Sequence, residues 1–215
     1  MAKAAGAERR QRADGERTRR TILDAATRLA TVEGLDGLSI GRLAQDTGMS
    51  KSGLFAHFGS KEELQLATIA TAESVFDVEV LAPAMATPEG LPRLRVLCER
   101  FLGHVEEGVF PGGCFFASAA AELDTRPGPL RDRISQVYDA WIALLDENVR
   151  RAQELEQLDG AIDPDQLVFE VNAMLAEANG LFLLRGDAAV FGMARRGIEA
   201  RLLPPATAET VARNV

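Results

Sequence analysis

The sequence predicts an all-α protein, and three observations carry that prediction. Apolar residues recur at offsets of three and four along most of the chain, as they do on one face of a helix. No stretch of useful length alternates between apolar and polar residues as a half-buried strand does. Pairs of Pro and Gly divide the periodic segments into about nine helices. A length of 215 residues suffices for one small and one medium domain.

The N-terminal segment predicts an arm followed by a helix. Residues 1–15 are rich in Ala, Gly, Arg and Glu, and we expect them to form a disordered basic arm. Helix one is predicted over residues 16–33 and ends at the glycine turn of residues 34–37. Its inward face consists of Ile22, Ala25, Ala26 and Leu29.

Residues 39–58, SIGRLAQDTGMSKSGLFAHF, predict two short helices joined by a tight turn. Ser39 and Ser50 can cap the two helices, and Gly48 can adopt the positive φ that a sharp turn requires. Leu54 and Phe58 give the second helix an inward face at an offset of four. This arrangement is typical of a helix-turn-helix, in which the second helix reads bases.

The outward face of that second helix carries only small, polar and basic residues: Lys51, Ser52, Gly53 and Ala56. Such a face can enter the major groove without a steric clash. The same pattern also arises in helical proteins that do not bind DNA, so the charge distribution matters.

Charge is concentrated at the N-terminus. The whole chain has a net charge of −8, which argues against a general nucleic-acid binder. Residues 1–61, however, hold 11 Lys and Arg against 7 acids, whereas the remaining 154 residues have a net charge of −12. A basic head on an acidic body favours attraction of phosphates at one place. A solvated basic tail without function is the alternative for the first few arginines.

The rest of the chain predicts six further helices. Ser60 with Glu63 forms a capping box for the first of them, and Asp163-Pro164 begins the fifth. We therefore expect a helix-turn-helix DNA-binding domain over residues 16–62 and a larger helical domain over residues 63–215. The six predicted ranges are 61–82, 88–108, 114–123, 129–156, 164–185 and 187–203.

The helix at 164–185 predicts a dimer. Its apolar residues cover nearly the whole circumference, and a helix that is apolar all round is buried on all sides. In a protein of this size a partner chain would cover one side, so we expect a homodimer through the helices at 164–185 and 187–203. The alternative is an ordinary central core helix.

Aromatic and polar residues of the C-terminal half are candidates for a small-molecule pocket, because such sites are mostly apolar with a few polar groups. Aromatic residues at helical spacing are also common in an ordinary core, and this alternative stays open. The candidates are Phe101, His104, Phe110, Cys114, Phe115, Tyr138, Trp141 and Asn179.

Residues 17–64 resemble the N-terminal domain of the TetR family of transcriptional repressors. The resemblance rests on ILDAA at 22–26, EGLDGLS at 33–39, the helix-turn-helix, and HF-x-SKEEL at 57–64. The PGGCFFASAAAELDTRPGPLRDR run is similar to a TetR-type regulatory domain. The resemblance implies that residues 63–215 form a regulatory, ligand-binding and dimerisation domain. It also implies a repressor that binds a partly palindromic operator as a homodimer and is released by a small-molecule effector.

The resemblance also implies roles for single residues. Ser39 would contact a phosphate while capping its helix, and Lys51, Ser52 and Gly53 would lie at the groove floor, with Lys51 as the base donor. His57 and Lys61 would contact phosphates. Phe55 replaces a tyrosine that is usual in the family, so one phosphate contact through a phenol is lost.

Other classes of protein are disfavoured. No uninterrupted run of 18 apolar residues and no secretory signal is present, and Cys98 and Cys114 are too few for a disulfide framework, so we expect a cytoplasmic protein. No nucleotide-binding, metalloprotease or zinc motif occurs, so we expect no enzyme, cofactor or metal. A helical adaptor that binds only protein is the alternative function.

Overall fold

The computed structural model describes residues 2–203, and of the side chains in that range those of residues 12–54 and 56–203. The described residues form nine helices and no strand, as the sequence predicts. The helices are α1 (Ala2–Glu33), α2 (Ile40–Thr47), α3 (Lys51–Phe55), α4 (Lys61–Phe76, continued by a π-helical turn at Asp77–Leu81 and an α-helical turn at Ala82–Met85), α5 (Leu91–Glu106), α6 (Phe115–Leu123), α7 (Pro129–Glu154), α8 (Pro164–Arg185) and α9 (Ala189–Arg201).

The first helix is longer than predicted. It begins at Ala2, so the expectation of a disordered arm over residues 1–15 was wrong for the described residues. Ala, Arg, Glu and Gln have high helix propensity, and they outweigh the single glycines at Gly6 and Gly15. The helix ends as predicted at Gly34, whose φ is +81° and whose amide donates to the Ala30 carbonyl at 3.0 Å.

One compact unit contains residues 2–75 and 110–134 of the described chain. Its core is apolar and takes side chains from α1 to α4 and from α6. This grouping differs from the predicted boundary after residue 62, because α6 and its flanking loops pack against α1 and the turn that follows it. The largest fully buried side chains of this unit are Ile22, Leu35, Leu38, Leu43, Leu54, Leu64 and Ile69.

The other compact unit contains residues 76–109 and 135–203 of the described chain. Helix α8 begins where the sequence predicts, since Asp163 caps it by accepting a hydrogen bond from the Asp165 amide at 3.0 Å. It ends at Gly186 in the left-handed conformation. Helices α8 and α9 pack together, with the rings of Phe182 and Phe191 4.8 Å apart.

Helix α8 is buried on one side only. Leu167, Val171 and Leu175 lie in the core, whereas Phe169 is 69% exposed and Leu184 is 80% exposed. By length and composition α8 could cross a membrane. This was not predicted from the sequence, because no uninterrupted run of 18 apolar residues is present. One such helix is weak evidence, because the core helix of a soluble protein passes the same test of length and composition.

Candidate nucleic-acid interface

The two helices of the helix-turn-helix are capped as the sequence predicts. Ser39 Oγ accepts a hydrogen bond from the Arg42 amide at 3.1 Å, and Ser50 Oγ accepts one from the Gly53 amide at 3.1 Å. Gly48 ends α2 with a φ of +66°. These three residues fix where each helix begins and how sharply the chain turns, so α3 is positioned by its own local sequence.

The exposure of residues in and after α3 also agrees with the prediction, although the helix ends at Phe55 and Phe58 follows it. Leu54 and Phe58 are buried, and Lys51 and Ser52 are exposed. An open concavity of about 500 Å³ separates the starts of the two helices. Two cationic side chains contribute to its wall, which suits a surface that meets phosphates. Its lining residues are Ser39, Gly41, Arg42, Ala44, Gln45, Met49 and Lys51.

The two cations of this concavity differ in their partners. The Arg42 guanidinium is 3.1 Å from Glu33 Oε1 and 3.2 Å from Asp46 Oδ1, so neighbouring acids partly neutralise it. Among the described side chains no acid forms an ion pair with Lys51, whose side chain lies beside Gly41. Lys51 is therefore the better candidate for a DNA contact.

The remaining residues of the predicted DNA-binding set have structural contacts too. Lys61 Nζ donates to the Asp36 carbonyl at 2.8 Å, which leaves two ammonium protons for a phosphate. The His57 carbonyl accepts from Arg19 Nη1 at 2.7 Å. Phosphate contacts by His57 and Lys61 stay predictions, and the side chain of Phe55 lies outside the described side chains.

Arg19 of α1 makes a structural contact that the sequence analysis did not predict. Its guanidinium bonds the His57 carbonyl and lies 4.3 Å from the centre of the Phe58 ring. A cation over an aromatic face is attracted by about 0.5–2 kcal/mol. Arg19 therefore ties α1 to the segment that directly follows α3.

The turn between α1 and α2 is held by two residues that sequence reasoning missed. The two oxygens of Glu122 accept from the amides of Leu35 at 2.7 Å and Asp36 at 2.8 Å. Buried Gln65 donates to the Leu35 carbonyl at 2.8 Å. The available signal was the single acid in FFASAAAEL, an otherwise small and apolar helix.

In the second compact unit, three of the predicted pocket residues meet around a fourth ring. Phe76 lies 5.6 Å from Trp141, 5.9 Å from His104 and 6.5 Å from Phe101, measured between ring centres. All four are buried. Sequence reasoning missed Phe76, because it placed the pocket on the helices that follow α4.

Amide and hydroxyl groups extend this aromatic cluster. Trp141 Nε1 donates to Asn172 Oδ1 at 3.0 Å, and Asn172 Nδ2 donates to Tyr138 Oη at 3.3 Å. Asn179 is buried on the same helix as Asn172. An amide in the apolar run of α8 was the sequence signal for Asn172, which the prediction did not use.

The other three pocket candidates belong to the first compact unit. The ring centres of Phe110 and Phe115 are 6.3 Å apart, and Cys114 is the residue before α6. All three are buried. The structure thus divides the predicted set between the two units, and ligand contact by any of these residues stays a prediction.

Burial favours the neutral forms of His104 and of the two cysteines. It lowers the pKa of His104 from 6.5 to about 4 and raises the pKa of the Cys114 thiol. Burial, aided by the charges of Glu199 and Glu99, raises the pKa of Cys98 to about 12. A protonated thiol is a poor nucleophile, so neither cysteine has the chemistry of a reactive redox centre.

Two family models match the chain. Residues 22–68 match "Bacterial regulatory proteins, tetR family", and residues 90–198 match "Tetracyclin repressor-like, C-terminal domain". The HTH-type transcriptional regulator LmrA of Bacillus subtilis is 27% identical over 140 residues, which cover 62% of this chain and 72% of LmrA.

Solved structures share the fold. A TetR transcriptional regulator from Chloroflexus aurantiacus has a TM-score of 0.77 at 25% identity, covering 87% of this chain and 94% of that one. AibR, in complex with isovaleryl coenzyme A and operator DNA, has a TM-score of 0.72 at 23% identity, covering 86% of this chain and 98% of AibR. With the C-terminal family model alone spanning half of its length, this chain belongs to the TetR family of transcriptional regulators.

Proposed function

We propose that this protein is a cytoplasmic repressor that binds a partly palindromic operator as a homodimer and releases it when a small molecule binds. The observation that carries the proposal is the capped helix α3, which exposes Lys51 and Ser52 while Leu54 and Phe58 are buried. A helix of this kind is suited to the major groove, where Lys51 can donate to a guanine.

The open side of α8 supports the homodimer. Phe169 and Leu184 are exposed in the single chain, and Met193 on α9 is 58% exposed. Large apolar side chains grouped on a surface mark a protein interface more often than a solvated face. The small residues Ala173 and Gly180 between them permit the close approach of a second helix. Two copies would present two recognition helices to two half-sites.

The aromatic cluster of Phe76, Phe101, His104 and Trp141 supports an effector that is largely apolar. AibR is solved with both a coenzyme A thioester and operator DNA, so one member of this fold accommodates both kinds of partner. An effector releases DNA only if it binds the DNA-incompetent state more tightly than the competent one. Phe76 is the last α-helical residue of α4 before its π-helical turn, so a ligand that moves this ring would act on the helix that follows α3.

The test is binding of the purified full-length protein to DNA from its own upstream intergenic region, titrated at several salt concentrations. Lys51→Ala should lower operator affinity on the order of 100-fold, because each half-site loses a contact of about 1–3 kcal/mol. Arg100→Ala, on the exposed face of α5, is the charge-matched control and should bind like the wild type.

Sequence-selective binding that weakens with salt and is lost in Lys51→Ala would support the repressor. Absence of selective binding across a genomic fragment library would reject it and favour the helical adaptor. Unchanged affinity of Lys51→Ala would reject Lys51 as the base donor while leaving a DNA-binding protein.

A further inference from the structure

The turn between α1 and α2 directly precedes Ser39, the cap of α2, and its backbone groups are bonded by side chains from two later helices. Helix α6 supplies the Glu122 carboxylate, which accepts from the amides of Leu35 and Asp36 at 2.7 and 2.8 Å. Helix α4 supplies donors to the carbonyls of the same two residues, each at 2.8 Å. Side chains thus bond the amide and the carbonyl of both Leu35 and Asp36.

The fit of Glu122 to this turn depends on glycine. A Cβ on Gly34 would lie 2.8 Å from Glu122 Oε2, and the φ of +81° at Gly34 disfavours any other residue. Arg126, in the loop after α6, forms an ion pair with the Asp36 carboxylate at the exposed edge of the turn. The carboxylate therefore occupies a cradle formed by three consecutive residues, 34–36.

Helix α6 is also fixed at its other end. The Gly112 amide donates to Thr31 Oγ1 of α1 at 3.1 Å, and a Cβ on Gly112 would lie only 1.8 Å from the Thr31 carbonyl oxygen. Ser118 of α6 in turn donates to the Gly112 carbonyl at 3.3 Å. Contacts at both ends of α6 leave the helix little room to tilt, so the position of Glu122 is determined by packing.

We propose that Glu122 is a positioning residue for operator binding. Hydrogen bonds to a carboxylate are about twice as strong as neutral ones, and two of them set the path of the chain into Ser39. Because α2 packs directly against α3, a displaced turn would displace the recognition helix. A base-reading site tolerates an error of only about 0.5 Å, so loss of the clamp reduces selectivity even in a folded protein. This inference rests on the proposed function as an operator-binding repressor.

Two substitutions test the clamp. Glu122→Ala removes both acceptors, and Glu122→Gln keeps the shape but places an NH₂ group against one of the two amides. Glu99→Gln, on the exposed surface of α5, changes the net charge equally without touching the turn. Arg126→Ala removes the exposed ion pair to the same turn and leaves both amides bonded.

Two readouts separate positioning from general destabilisation. The first is the ratio of operator affinity to affinity for random DNA, which we expect to fall about 10- to 100-fold in Glu122→Ala and less in Glu122→Gln. The second is hydrogen–deuterium exchange of the peptide spanning residues 34–39, which should accelerate in both variants. Glu99→Gln and Arg126→Ala should keep the wild-type ratio to within about threefold.

Each outcome decides the proposal. The proposal is supported if exchange is faster and the ratio of operator affinity to random-DNA affinity is lower, while the melting temperature of the second compact unit is unchanged. An unchanged ratio in Glu122→Ala, with a selective wild type, overturns the positioning role and leaves the repressor intact. Unchanged exchange shows that the clamp is absent in solution and overturns it as well. If the wild-type protein itself binds no genomic DNA fragment more tightly than random DNA, the proposed function fails and the positioning role with it.

Discussion

The α2–α3 surface and the α8–α9 surface differ in what they expose. The first exposes Lys51 and Ser52 and satisfies its helix ends with side-chain caps. The second exposes Phe169 and Leu184, and only its core-facing side is closed by packing. The helix ends of the α2–α3 surface are capped within the single chain, whereas the α8–α9 surface still has apolar area in contact with water.

The physical reason lies in the partner that each surface suits. A groove-reading helix has to stay hydrated and hold its shape before DNA arrives, so its polar groups are bonded locally. An apolar face gains about 25 cal/mol for each Å² removed from water, which a second protein chain can supply. The difference teaches that the first face is organised in advance, whereas the second face, on the proposed function, would be completed by a second copy of the chain.

The largest effect is expected from breaking the apolar face. Phe169→Asp with Leu184→Asp should weaken dimerisation by about 1,000-fold or more, because two charges would be desolvated at the interface. Sedimentation velocity should show monomers, and circular dichroism should show unchanged helicity, since both side chains are exposed. Val78→Asp, an equally exposed apolar position on the π-helical turn, is the control. A variant that remains a dimer would locate the interface elsewhere.

The next effect concerns the pH dependence of stability and the interior of the second compact unit. The folded-state pKa of His104 is about 4, below its ordinary 6.5. Between these pH values the His104 imidazole is therefore protonated in the unfolded chain but neutral in the folded protein. The free energy of unfolding should therefore fall by up to about 3 kcal/mol as the pH drops from 6.5 to 4. His104→Phe should remove this part of the pH dependence.

Urea unfolding at pH 7.5 and pH 4.5 measures the loss in the free energy of unfolding for the wild type and for His104→Phe. Carboxylates titrate in both proteins alike, so the difference between wild type and His104→Phe isolates the imidazole. Equal losses in the two proteins would mean that His104 is protonated in the folded state, contrary to its burial.

A smaller effect sharpens the DNA-binding side of the comparison. Ser50→Ala removes the cap of α3 and should lower the free energy of unfolding by about 1 kcal/mol. Ser50→Asp retains a capping oxygen, and so retains stability, but brings a negative charge towards the phosphates. Thermal unfolding should separate Ser50→Ala from the wild type, and operator titration should be weaker for Ser50→Asp. Equal operator affinity for Ser50→Asp and wild type would place Ser50 away from the DNA backbone.

Local elements of the site were predictable because their causes are local. Ser39, Gly48 and Ser50 act on backbone groups within three or four residues, and the structure confirms each. The bounds of α8 follow from Asp163-Pro164 and Gly186 for the same reason. The long α1 was missed because a charged, Ala-rich composition suits both a disordered arm and a solvated helix.

By itself the sequence determined the all-α class, the helix-turn-helix and the face of α3 that is exposed, since periodicity and capping chemistry operate over one or two turns. Only the tertiary structure decided that Glu122 reaches the amides of Leu35 and Asp36, 87 and 86 residues earlier in the chain. It also decided that Phe76 joins Trp141 and His104, and that Arg19 ends on Phe58. Contacts over such separations depend on how helices pack, and no local pattern encodes the register of that packing.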